Sequence, residues 1–327
     1  MSDEESTATV LTALGANLAI AVAKIVAGVL TGSSAMLAEG AHSVADTTNQ
    51  VFLLTSLRLS RKPADATHPF GYGKERFFWS LLAAVGIFVS GAAFSVYEGV
   101  HSLLAHAGED ASYLVAYVVL AVSFVAEGIS WLKAVGQLRG EAAHRGRGLV
   151  EHLRLSSDPT VKTVFFEDSA ALVGLVLAAT GLGLHQATGQ AFWDPLAAIA
   201  IGVLLAVVAY VLGRDTKELL IGEAAPEPAR RALRDALAAE PEIDEVLELR
   251  TMLVGPATLL VAARVDMDDT LDARGVEDAT DRIDATLREP FPEVRAVYLD
   301  PTSRRGQVAA SAPEPTSAST TDTTITR

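Results

Sequence analysis

The 327-residue chain has no cysteine, which excludes disulfides and thiolate metal ligands. Any metal it handles must be held by nitrogen and oxygen donors. Positive charge is scarce as well: 26 Lys and Arg face 40 Asp and Glu, a formal net charge of -14. That leaves no basic face suited to nucleic acid. Histidine ends at His185, so the last part of the chain has no imidazole. The first residues, MSDEES, lack the basic n-region of a signal peptide. No small-residue cleavage site clearly follows the first apolar run, which therefore reads as a retained span. No G-x-x-x-x-G-K-[ST] loop is present, so nothing here drives a process by nucleotide hydrolysis. The absence of H-E-x-x-H and G-x-S-x-G argues against an intramembrane metalloenzyme, and we expect no enzyme. No repeat of fixed period is visible.

What the chain does have is long apolar runs. Half its residues are hydrophobic and the mean hydropathy is +0.31. Six segments, near 9–31, 35–57, 77–104, 112–135, 164–186 and 192–213, are long enough to cross about 30 Å of hydrocarbon at about 1.5 Å per residue. Loop charge supports the count. Arg58, Arg61, Lys62, Lys74 and Arg76 lie between spans two and three, and Arg139, Arg145, Arg147, Arg154 and Lys162 between four and five. Arg214 and Lys217 follow span six, whereas the alternate loops hold no Lys or Arg. By the positive-inside rule both termini are cytoplasmic, in what we expect to be a bacterial plasma membrane.

Past residue 214 the pattern changes. Ala229, Leu233 and Leu237 mark an amphipathic helix, and 245–254 and 257–266 read as strands joined at Gly255-Pro256. Val276, Ala279, Ile283 and Leu287 mark a second helix, and 294–299 a last strand. The expected fold is an all-α bundle of six transmembrane helices followed by a small α+β, ferredoxin-like domain of order αββαβ. In these terms 1–8 is an N-terminal tail, 9–214 the membrane domain, 215–302 the cytoplasmic domain and 303–327 a disordered tail.

The chemistry lies in the spans. Glu39, His42, Asp46 and Asn49 are three or four residues apart, so they share one stripe of span two. Ionisable groups at membrane depth are costly and face a bundle interior or a water path. His42 and Asp46, one turn apart, are able to grip one cation, and Glu167-Asp168 of span five offers facing donors for a tetrahedral nitrogen and oxygen site. A structural role for these groups stays open at this point; Asp168, for instance, has Lys24 of span one as a possible partner. Glu98 and Glu127 read as helix-pairing or proton-access carboxylates. Asp194 before Pro195 reads as the N-cap of the sixth helix. Gly28-x-x-x-Gly32 reads as a packing seam.

Asn17, Lys24-Ile-Val-Ala-Gly28 and Ser34-Ala-Met-Leu-Ala-Glu39-Gly-Ala-His42-Ser-Val-Ala-Asp46 resemble the first two spans of cation diffusion facilitator transporters. His68-Pro-Phe-Gly71-Tyr72-Gly73-Lys74-Glu75 is similar to that family's connection from span two to span three. The resemblance implies proton-coupled efflux of zinc or a similar divalent metal by a homodimer, with metal ions and protons as substrates, membrane lipid around it and no nucleic acid partner. It implies no permanently bound cofactor. Within it, His42, Asp46 and Asp168 match the metal ligands. Val164 stands where His is common, and Glu167, about 60° round the helix, is the expected replacement donor. The Glu-Asp pair resembles a branch that includes a zinc transporter of animal mitochondria. Asp65 and His68 match two ligands of an accessory loop site, but Tyr72 stands at its next position. The cytoplasmic domain lacks the His-built metal site of some members, Asp300 alone remaining.

Overall fold

A computed structural model describes residues 3–105, 113–144, 146–156, 158–256 and 258–302, with side chains from residue 14 onward except at 154. The chain divides into two compact units: Met1–Glu223 with Leu253–Thr258, and Ala224–Met252 with Leu259–Arg327.

The first unit is helical. It comprises α1 (Asp3–Thr31), α2 (Ser34–Leu59), α3 (Glu75–Gly86), a π-helical segment (Ile87–Ala93), α4 (Phe94–Ala105), α5 (Tyr113–His144), the short α6 (Leu149–Leu155), α7 (Pro159–Thr188) and α8 (Trp193–Ile221). Among the described residues, five helical stretches are long and apolar enough to cross a membrane: one in α1, the continuous Glu75–Ala105, α5, α7 and α8. α2 does not join them on apolarity. Its 26 residues reach about 39 Å at about 1.5 Å per residue, but Glu39, His42, Asp46 and Asn49 lower its hydropathy. Of the six expected spans, five fall on these apolar helices, and the second, 35–57, falls on α2, which has the length but not the apolarity.

The polarity of α2 follows from its place. It packs against α1, α3, α4, α7 and α8, so little of it faces outward. Large apolar side chains such as Val29, Leu30, Leu114, Val122 and Tyr210 line the outer surface instead. Tight helix crossings use small residues. A Cβ at Gly28 would come within 2.9 Å of the Leu37 backbone nitrogen, and one at Gly40 within 2.7 Å of the Ile25 side chain. The expected Gly28/Gly32 seam is thus half right. Gly32, at φ 65°, makes the left-handed turn between α1 and α2, a conformation that favours glycine.

Helices also overrun the expected limits. α1 starts at Asp3, α5 continues to His144, α7 begins at Pro159 and α8 reaches Ile221. Hydropathy marks only the apolar part of a helix, whereas backbone hydrogen bonding continues until a cap ends it. For α7 the caps are local: the Asp158 side chain accepts from Thr160 N–H, Pro159 follows, and Gly189 at φ 69° closes the helix.

The rest of the chain forms α9 (Glu227–Ala238), β1 (Ile243–Gly255), β2 (Thr258–Met267), α10 (Ala273–Arg288) and β3 (Val294–Pro301), all in the second unit except the β1 end from Leu253 and Thr258 of β2. The sheet order is β1-β2-β3, with β2 and β3 parallel, Val261 opposite Val297 and Val265 opposite Pro301. Leu259, Val261, Ala263, Val265 and Met267 are all buried, the period-two face of a half-covered strand. Leu233 and Leu237 of α9 and Ala279, Ile283 and Leu287 of α10 form the helical side of the core. The αββαβ order thus comes from amphipathic periods of 3.6 and 2. Asp300 lies on β3 opposite Arg264 and accepts from its Nε at 2.8 Å. The expected tail, 303–327, lies outside the described residues.

Candidate functional site

α2 brings the polar stripe inside the bundle. Glu39 and Asn49 are buried to 0% and 1% exposure and His42 to 3%, so the i, i+3, i+4 spacing does place them on an enclosed face. α7 packs against α2 and contributes Glu167, also buried, and the partly covered Asp168.

Each carboxylate has its own support. Asn17 of α1 donates its Nδ2 to Asp46 Oδ2 at 3.3 Å, and Ser130 of α5 donates to Asp168 Oδ2 at 3.3 Å. Asn49 Nδ2 donates to Glu167 Oε2 in a short contact across the α2–α7 interface. The second oxygen of Glu167, the Asn49 carbonyl oxygen and His42 Nδ1 are buried without hydrogen-bond partners. Such groups are rare because a buried polar atom left unmade costs roughly 1–3 kcal/mol.

Asp46, Glu167 and Asp168 lie close enough to feel one another's charge, and Asp46 also feels Glu127 and Lys24. His42 lies under the influence of Lys24. Among the described residues, no three His, Asp or Glu side chains converge tightly enough to hold a metal ion as they stand. The expected ligands are therefore neighbours on two helices, not a closed shell.

The partner offered for Lys24, Asp168, is wrong. Lys24, fully buried, pairs with Glu39 Oε2 at 3.1 Å and lies 3.9 Å from Glu127 Oε1. Asp168 takes the Ser130 hydroxyl instead. Glu127 is thereby a helix-pairing group. The roles of Asn17, Ser43 and Ser130 were missed, yet one signal existed: Asn17 and Lys24 are seven apart, two turns along the same face of α1.

Asp194 also does something other than expected. α8 begins at Trp193 with Phe192 as its N-cap and no capping side chain. The Asp194 carboxylate accepts from Ser33 Oγ at 2.6 Å, Ser34 N–H at 2.6 Å and Ala35 N–H at 3.3 Å. It caps α2 from another helix, where the positive end of the helix dipole favours an anion. Ser33 in turn accepts from Met36 N–H. We expect Asp194→Ala to destabilise the solubilised protein by about 1–3 kcal/mol, because buried donors lose their acceptor, and Asp194→Asn to recover part of that. A thermal midpoint for Asp194→Ala equal to wild type would remove this role.

In the loop after α2, Asp65 Oδ1 accepts from Thr67 N–H at 2.9 Å and His68 N–H at 2.7 Å, and Tyr72 O–H donates to Oδ2 at 2.7 Å. The Tyr72 hydroxyl and these backbone donors hold the Asp65 carboxyl below the usual carboxylate range. His68 packs against Tyr72 with the rings tilted by 38° and their centroids 4.2 Å apart, and its Nδ1 lies 3.8 Å from Asp65 Oδ1. The carboxylate oxygens thus serve the turn.

Long apolar helices around a buried stripe of imidazole, amide and carboxylate groups define an integral membrane protein with a polar interior. A family model for the cation efflux transmembrane domain matches residues 10–221, about two thirds of the chain. The Proton-coupled zinc antiporter SLC30A9, mitochondrial, of Xenopus laevis is 35% identical over 266 residues, 81% of this chain and 47% of that protein. Metal tolerance protein C4 of Arabidopsis thaliana is 34% identical over 268 residues, 82% of this chain and 58% of that protein. Cation-efflux pump FieF of Pectobacterium atrosepticum is 27% identical over 304 residues, 90% of this chain and 93% of that protein. The chain spans about half the length of the zinc antiporters it matches. It belongs to the cation efflux family, a family of transporters and not of enzymes.

Proposed function

We propose that this protein exports a divalent metal ion, zinc foremost, in exchange for protons. The observation that carries the reading is the pair of unpartnered buried atoms, His42 Nδ1 and Glu167 Oε1, on packed helices beside Asp46 and Asp168. One imidazole nitrogen and carboxylate oxygens on two helices are the donors zinc takes in tetrahedral sites. A bound ion would draw Asp46, Glu167 and Asp168 from their single hydrogen bonds toward the unpartnered His42 Nδ1 and close a shell around itself. Efflux of cobalt, iron, manganese or cadmium is the second reading, since nitrogen and oxygen donors suit several ions of the Irving–Williams series. The names of the relatives, a zinc antiporter and a cation-efflux pump, support zinc first and keep the wider range in view.

In this reading α2 is the sixth span, kept from lipid by its neighbours, and both termini are cytoplasmic. The protein works as a homodimer and carries no resident cofactor. Alternating access comes from movement of the metal-bearing helices against the rest of the bundle. The Asp65/His68 loop takes no part as a metal site, because its carboxylate is committed to the turn. The test is zinc uptake by proteoliposomes containing the full chain, with the other metals run in parallel. We expect saturable zinc accumulation above that of empty liposomes. Flux equal to empty liposomes for every metal would end the proposal.

A further inference from the structure

Lys24 sits where a cation would. Its ammonium lies 2.8 Å from Ser43 Oγ, 3.1 Å from Glu39 Oε2 and 3.9 Å from Glu127 Oε1, joining α1, α2 and α5. Lys24 and Glu39 are both fully buried. A hydroxyl and two carboxylates around one point form an oxygen donor set that a hard cation would accept. On α2, Glu39 lies one helical turn before His42 and Ser43 directly follows it. The other Glu39 oxygen has no partner and faces α7 at Gly174, where a Cβ would come within 2.2 Å of it. Any larger residue at Gly174 would push this carboxylate away.

We infer that Lys24 is a tethered counter-cation that withholds Glu39 from the transported metal. The inference rests on the transport-site reading and sets that site's boundary: the metal shell ends at His42. The physical need is clear. A carboxylate without a partner in this interior would either be neutralised by a proton or recruit the passing ion. As a ligand next to His42 it would add a strong oxygen donor and slow release. A lysine amine supplies the compensating charge permanently and cannot leave with the metal. The Ser43 hydroxyl fixes the ammonium, so the lysine is anchored by two groups of α2 and not by charge alone.

The test uses the full-length protein, with zinc binding by calorimetry and zinc flux in proteoliposomes. Loss of an outer partner of a metal ligand costs roughly 10–100-fold in affinity, so a residue outside the shell should change it by less than about threefold. We expect the double variant Lys24→Met/Glu39→Gln, which removes Glu39 without stranding a buried ammonium, to bind zinc within that limit. Lys24→Met alone should lower zinc flux by about tenfold or more, because it strands Glu39. The double variant Lys24→Met/Glu39→Gln, which removes both charges, should return flux to within about threefold of wild type. A tenfold or larger affinity loss in the double variant would place Glu39 in or against the metal shell and overturn the inference. So would a double variant no better than Lys24→Met. If Lys24→Met does not fold, these two comparisons still decide, the double variant then being scored on folded yield and flux. Asp46→Ala separates the premises: zinc bound normally by that variant rejects the transport site itself, whatever the Lys24 variants do.

Discussion

Replacing Asp46 or Asp168 by alanine is expected to abolish zinc transport while leaving a folded protein in the membrane. Each residue supplies an anionic oxygen that no neighbour replaces. The loss should exceed the roughly 10–100-fold that follows removal of an outer-shell partner, and flux should fall to the level of empty liposomes. The fold should survive because each side chain is held by one long hydrogen bond, from Asn17 to Asp46 and from Ser130 to Asp168, both at 3.3 Å. Removing one also relieves repulsion within the Asp46, Glu167 and Asp168 group. Glu167→Gln is the graded control. It keeps an acceptor for Asn49 Nδ2 but loses the charge, so affinity should weaken or metal preference shift without loss of insertion. Wild-type flux from Asp46→Ala or Asp168→Ala would sink the site assignment, and normal affinity in Glu167→Gln would remove Glu167 from the shell.

Much of this site was legible because it is periodic. Glu39, His42, Asp46 and Asn49 fall on one face by the arithmetic of 3.6 residues per turn, and the structure buries that face. The small C-terminal unit was legible for the same reason, with Leu233, Leu237, Ile283 and Leu287 at helical spacing and the alternation of 259–267 marking a strand. What failed was partnership across the chain. Asp194 followed by Pro195 satisfies the local rule for an N-cap, yet its carboxylate serves Ser33, Ser34 and Ala35 some 160 positions away. No local pattern encodes such a contact. The sequence offers Asp168 as a possible partner of Lys24 for a related reason, whereas the structure pairs Lys24 with Glu39. Several carboxylates lie within reach of one long side chain, and only packing selects Glu39. The π-helical segment at Ile87–Ala93 was also unreadable, since its Ser90-Gly91 pair permits a local irregularity without specifying a wider turn, and no proline marks it. α2 shows the opposite lesson: hydropathy alone omits it, and the polar residues that cause the omission are those with the chemistry.

An inward proton gradient is expected to accelerate zinc export several-fold, and zinc movement is expected to drive protons the other way. The cause is the charge of the proposed site. Asp46, Glu167 and Asp168 ionised with a neutral His42 total about three negative charges, which like-charge repulsion and a low dielectric disfavour when no cation is present. Lys24 does not relieve this group fully, since its ammonium is engaged with Glu39 and Ser43. The empty site therefore recruits protons, which distribute over the group as a whole. A divalent ion offsets most of the charge and expels them, because imidazole and carboxylate bind metal only in their deprotonated forms. Exchange is then a property of the ligand set and needs no separate coupling element. The measurement is proteoliposomes loaded with a pH dye, with the membrane potential clamped so that charge movement does not mimic proton movement. Zinc flux should rise with the imposed gradient, dye response should appear only when zinc is added, and Asp46→Ala should show neither. Zinc flux indifferent to the gradient, with a silent dye, would leave a uniporter or channel as the working description of the same ligand set.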